Sequence, residues 1–276
     1  MTFALANELE INRMGFGAMR LCGDGVWGWP DDRDAAARVL ERAVERGVQL
    51  IDTADAYGPE TNEYLIADVL APYDDDLVIA TKGGLVRGGP ESWETDGRPE
   101  HLERAINNSL RRLETDTIDL YQLHAPDDDV PIEESLGVLE AARNEGKIRH
   151  VGVSNVTVEL LERARRITDV ATVQNRYNIA ERKSDDVVDY CTEHGIGFIP
   201  WYPLGVGELA DDERLSSIAE SHDATPAQIA LAWLLHRSEV MLPIPGTTSI
   251  EHLEENVAAA DIHLSDDELA QLDEIE

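Results

Sequence analysis

Four side chains of complementary chemistry stand in three short stretches of this chain. Asp52 and Tyr57 lie in Ile51-Asp-Thr-Ala-Asp-Ala-Tyr-Gly58, Lys82 in Thr81-Lys-Gly83, and His124 in Leu123-His-Ala125. A phenol has a free pKa of about 10, so it keeps its proton at neutral pH and can act as a weak acid. An ammonium beside it stabilises the phenolate and is expected to lower that pKa. A carboxylate keeps the ammonium charged and aimed, and an imidazole can donate a hydrogen bond to an oxygen that is gaining negative charge. Taken singly, three of these residues have ordinary structural uses: Asp52 can cap a loop, Tyr57 can sit in the core or on the surface, and His124 can be a satisfied structural histidine. Lys82 is different. Only three of the 23 basic residues are lysine, and this one ends an apolar run. A buried ammonium there needs a carboxylate partner to offset its desolvation, and Asp52 is the natural candidate.

The segments that must position these groups alternate between two patterns. Short apolar runs, expected to be buried strands, fall at 14–17, 48–52, 77–81, 118–123, 148–153, 170–173, 196–199 and 240–244. Amphipathic stretches fill the gaps. In 34–45, Ala36, Val39, Leu40, Ala43 and Val44 share one helical stripe, with Gly47 following as a helix stop. Leu102, Ala105, Ile106, Leu110 and Leu113 repeat at the same spacing. Eight strands that mostly each precede a helix predict a parallel sheet closed into a (β/α)8 TIM barrel. A doubly wound open sheet is the alternative, but no G-x-G-x-x-G joins a strand to a helix. Residues 8–11 read as one strand of an N-terminal hairpin closing the barrel bottom. Residues 225–236 read as an extra helix, with Thr225, Pro226 and Gln228 as cap, first-turn proline and capping-box partner. No linker or low-complexity tract interrupts 1–276, so one domain is expected.

Barrel active sites lie at the C-terminal ends of the strands. The second, third and fourth ends carry the four residues above. The later ends carry Ser154-Asn155, Gln174-Asn175, Trp201-Tyr-Pro-Leu-Gly205 and Gly246-Thr-Thr248. With these residues in view, the chain resembles the aldo-keto reductase superfamily from Gly15-Phe-Gly17 through Asn256. Asp52-x4-Tyr57, Lys82 and His124 are similar to that family's catalytic tetrad. The resemblance implies that Ser154, Asn155 and Gln174 hold the nicotinamide amide and that Trp201 stacks on its ring. It places Tyr202, Leu204, Gly205, Gly207, Gly246 and Thr247 along the rest of the cofactor, and Glu255 and Asn256 at its adenine end. The implied reaction is NAD(P)H-dependent, reversible reduction of aldehyde or ketone carbonyls. Tyr57 would be the proton donor, supported by Lys82, Asp52 and His124. NADP(H) is expected ahead of NAD(H), although no Arg or Lys stands between Gly246 and Asn256, where NADP-preferring relatives usually carry basic residues. Two other readings use the same frame. A regulatory barrel would keep the nucleotide site with little turnover, and a barrel lyase would use Lys82 as a Schiff-base nucleophile. A metal-dependent hydrolase needs clustered ligands at strand ends, where only His124 of eight histidines falls.

Composition bounds the setting. The 276 residues carry 56 acidic and 23 basic side chains, a net charge of −33. Such a surface repels itself in dilute buffer and is screened at molar salt. It resembles the acidic, lysine-poor proteins of salt-loving archaea and disfavours a nucleic-acid partner. No apolar run reaches ~18 residues and the first ten residues lack a signal-peptide pattern, so a cytoplasmic location without a membrane partner is expected. Cys22 and Cys191 make no disulfide framework. The expected partner is a small carbonyl compound entering an open mouth, with the segment 83–99 and its Trp93 across it, and Trp27 or Trp29 on the other side.

Overall fold

The alternating pattern is realised as a curled parallel sheet wrapped by helices. The computed structural model describes residues 1–90, 92–205 and 212–275. A hairpin of β1 (Thr2–Leu5) and β2 (Leu9–Asn12) comes first. The barrel strands β3 (Phe16–Gly17), β4 (Leu50–Asp52) and β5 (Val78–Gly83) follow. A second hairpin, β6 (Leu85–Gly89) and β7 (Ser92–Thr95), then interrupts the repeat. The barrel resumes with β8 (Ile118–Leu123), β9 (Ile148–Ser154), β10 (Val170–Arg176) and β11 (Gly197–Trp201). In space the order is β3-β4-β5-β8-β9-β10-β11, all parallel.

The eighth apolar run, 240–244, closes this sheet without forming a regular strand. Phe198 N–H donates to Val240 O (2.8 Å), Leu242 N–H to Phe198 O (2.7 Å), and Gly15 N–H to Pro243 O (2.8 Å). Pro243 and Pro245 have no N–H to give, so the ladder on this run is broken by composition. The seam is tight. A Cβ on Gly246 would stand 2.5 Å from Gly17 O, and one on Gly17 would stand 2.7 Å from Ile244 O. Only glycine permits that approach.

Helices cover the outside: α1 (Arg33–Glu45), α2 (Thr61–Leu70), α3 (Pro99–Arg112), α4 (Ile132–Asn144), α5 (Val158–Ala164) and α6 (Asp185–His194). After β11 come α7 (Glu213–Ser221), α8 (Pro226–Arg237), α9 (Ile250–Ala258) and α10 (Asp266–Leu272). The core has two parts. One lies between sheet and helices. The other fills the barrel, where Leu5 and Ile11 of the first hairpin pack on Leu50, Val78, Leu120 and Leu242. The N-terminal hairpin therefore plugs the bottom, leaving the strand C-termini as the open end. Helix α8 carries the expected capping box between Thr225 and Gln228, and 229–235 are all buried. Among the described residues, no helix is long and apolar enough to cross a membrane.

Candidate active site

Register brings the chemistry together. Asp52 pairs with Ala80 across β4 and β5, and Lys82 pairs with Gln122 across β5 and β8. Lys82, fully buried, uses all three ammonium protons. Nζ donates to Asp52 Oδ1 (2.7 Å), to Thr53 O (2.8 Å) and to the Tyr57 hydroxyl (3.4 Å). The second oxygen of Asp52 accepts from Gln174 Nε2 (2.7 Å) and Gln122 Nε2 (3.4 Å). The charged pair is thus hydrogen-bonded on both sides, as burial in a low dielectric requires. His124 follows the end of β8, and its ring stands edge-on to Tyr57 with centroids 5.9 Å apart.

Protonation follows from these contacts. Burial pulls the Lys82 pKa down, but Asp52 and Tyr57 outweigh it and the group sits above its usual value. It is an ammonium at any physiological pH. For Tyr57 the balance is the reverse of the expectation from charge alone. Burial raises the phenol above its usual value by more than Lys82 lowers it, so the hydroxyl holds its proton. Burial and the Lys82 charge together press His124 well below the ordinary histidine range. Its imidazole is neutral, and its buried Nδ1 has no hydrogen-bond partner.

These groups open onto a cleft of about 520 Å³. Asp52, Tyr57 and His124 line it, with Lys82 behind them. Of the residues expected at a cofactor, Ser154, Asn155, Gln174, Trp201, Tyr202, Leu204, Gly205 and Gly246 also line the cleft. Ser154, Asn155, Gln174 and Trp201 are already tied together. Ser154 Oγ donates to Gln174 O (2.7 Å), Asn155 Nδ2 to His124 O (3.0 Å), and Trp201 Nε1 to Asn155 Oδ1 (3.0 Å). Thr247, Glu255 and Asn256 do not line it. Thr247 Oγ1 accepts from Ser249 N, and Glu255 and Asn256 lie on α9 beyond the eighth segment. Gly207 lies outside the described residues. Trp93 lines the mouth, whereas Trp27 and Trp29 do not. Trp29 instead stacks under the Arg33 guanidinium at 3.2 Å.

The sequence reading missed Met19 and Arg20, both cleft-lining residues. They follow β3, in a single 3-10 turn that carries no motif. The Arg20 side chain passes beside Gly246, with its Cγ 3.8 Å from where a Cβ would stand. The donor set suits a nicotinamide dinucleotide: side-chain amides at one end, a flat ring beside them, and open glycine backbone with a cation further out.

The comparisons place this geometry. The Aldo/keto reductase family model matches residues 13–276. The chain is 44% identical to pyridoxine 4-dehydrogenase of Escherichia coli over 99% of its length and 98% of that protein. It is 48% identical to an uncharacterized oxidoreductase of Schizosaccharomyces pombe over 97% of its length and 87% of that protein. Among solved structures it is similar to an aldo-keto reductase of Klebsiella pneumoniae in complex with NADPH. That match has a TM-score of 0.84 and 30% identity, over 99% of this chain and 93% of that one. The chain belongs to the aldo/keto reductase family and is an oxidoreductase of that family.

Proposed function

We propose that this protein is a single (β/α)8 domain over 1–276 that reduces aldehyde or ketone carbonyls with NADPH, reversibly. The observation that carries this reading is the hydrogen-bonded chain Asp52–Lys82–Tyr57, facing a cleft beside a neutral imidazole. A nicotinamide dinucleotide, when bound, supplies the hydride. Ser154, Asn155 and Gln174 would hold its amide, Trp201 its ring, Gly205 and Gly246 its phosphates. Arg20 supplies the positive charge that 246–256 lacks, which supports the phosphorylated cofactor. The protein's own part is to move a proton and hold an oxygen. Tyr57 gives its hydroxyl proton to the carbonyl oxygen as negative charge develops there. The Lys82 ammonium, held by Asp52, stabilises the phenolate that remains. His124, being neutral, donates one hydrogen bond that orients the same oxygen. General-acid help of this kind is worth roughly 10² to 10⁴ in rate.

The density of carboxylates supports a salt-adapted protein. NADPH and NADH oxidation should be followed with a panel of carbonyls at several KCl concentrations, with pyridoxine and NADP⁺ testing the reverse direction. Faster turnover with NADPH supports the reading. No oxidation of either cofactor with any carbonyl would favour the regulatory barrel instead.

A further inference from the structure

The β6–β7 hairpin is an insertion in the barrel repeat, and one side chain holds it over the cleft. Arg87, on β6, spends its guanidinium entirely on backbone carbonyls. Nε donates to Ser92 O (2.8 Å), Nη1 to Val26 O (3.0 Å) and Ala56 O (3.1 Å), and Nη2 to Gly25 O (2.9 Å), Gly89 O (3.3 Å) and Pro90 O. Three separate segments meet on it: the hairpin, the 25–26 turn, and the residue preceding Tyr57. The same guanidinium stacks on the Trp93 indole, 3.6 Å from its centroid. Trp93 in turn stands edge-on to Tyr57 at 6.4 Å, lines the cleft, and is 40% exposed. A planar cation fixing a large ring from one side leaves the rest of that ring as a preset apolar wall.

We propose that Arg87 is a positioning residue for substrate selection. It fixes Trp93 beside Tyr57 so that carbonyl compounds bearing an aromatic ring are preferred over small aliphatic ones. This rests on the reductase reading and adds to it the residue that shapes the substrate side. The lining there suits such a ring. Met19, Leu85 and Trp93 are apolar, and Asp52, the only carboxylate lining the cleft among the described residues, is buried against Lys82. A lysine at position 87 would keep the charge but lose the planar fork that reaches several carbonyls at once.

The test compares wild type with Arg87→Lys, Trp93→Leu, Trp93→Phe and the double variant Arg87→Lys/Trp93→Leu. The readout is the ratio of kcat/KM for benzaldehyde to that for propanal. Loss of one well-placed aromatic contact predicts a fall in that ratio of roughly three- to tenfold in Arg87→Lys and in Trp93→Leu. The double variant should fall no further than Trp93→Leu alone, and Trp93→Phe should keep most of the preference. An unchanged ratio in Arg87→Lys, or additive losses in the double variant, would overturn the proposal. Benzyl alcohol binding, followed by saturation-transfer NMR on the same proteins, reads the wall without turnover. It should weaken in the same order. If wild type oxidises no cofactor with either aldehyde, the reductase reading fails, while this binding series still decides the role of Arg87.

Discussion

At the Tyr57 hydroxyl, burial and charge pull in opposite directions, and burial wins. Sequence spacing could place an ammonium near a phenol, but it could not weigh that ammonium against the desolvation of a residue only 7% exposed. The four strand-end residues were legible because acid, phenol, amine and imidazole are unusual company on consecutive strands. Arg20 was not, because an exposed arginine in a single 3-10 turn (Ala18–Leu21) has no periodic or motif signal of its own. Lys82 and Asp52 form a buried pair, so breaking it strands a charge. Lys82→Met should destabilise the fold by about 3–5 kcal/mol in urea unfolding, and a loss below about 1 kcal/mol would mean the pair is far better solvated than it is here. His124 gives a pH test. Its folded pKa lies well below the unfolded value of about 6.5. Below that pH the unfolded chain takes up a proton that the native state refuses, so the stability from neutral His124 is present above about 6.5 and lost as pH falls. Buried Asp55, shifted upward by burial, acts in the opposite sense, so the comparison must be with a variant. The stability advantage of wild type over His124→Gln should shrink between pH 7 and 5.5, by up to about 1.4 kcal/mol per pH unit. A difference that stays flat with pH would contradict the neutral assignment.

Elements were legible in proportion to their local signals. The α8 start was written in three residues, Thr225, Pro226 and Gln228, and both reciprocal hydrogen bonds are present. Thr225→Ala should cost about 1 kcal/mol, and a denaturation midpoint equal to wild type would show that tertiary packing alone fixes that end. The strand boundaries moved at several ends because β5, β9 and β10 continue past their apolar runs into polar residues such as Lys82, Ser154 and Asn175. Ser154 lines the cleft, Lys82 sits behind it and Asn175 bonds the Val156 backbone, so at these ends alternation and hydrophobicity no longer predict a strand. The eighth run was read as a strand from its apolar residues, while its prolines limit it to a few backbone bonds. The β6–β7 hairpin has only the signal of a long loop in the sequence. Gly88 and Gly89 obscure its period, and the contacts that Arg87 makes to Val26 and Ala56 are invisible in the local sequence.

For the molecule as a whole, the −33 charge is carried mainly at the surface: among the described residues the carboxylates of Asp52 and Glu63 are buried, and they pair with Lys82 and Arg112. Salt that screens the surface leaves those buried pairs nearly untouched. The melting temperature should therefore rise from dilute buffer to about 1 M KCl, where the Debye length is near 3 Å. A steady fall with added salt would refute the salt-adapted reading. The barrel brings Asp52, Tyr57 and His124 to one opening with Lys82 behind them, and in the proposed function Tyr57 delivers the proton there. The direct measurement is NADPH oxidation with a simple aldehyde by wild type and Tyr57→Phe, alongside NADPH binding followed by fluorescence. Turnover should fall by roughly 10² to 10⁴ with cofactor affinity unchanged. Near-normal turnover in Tyr57→Phe would contradict the account.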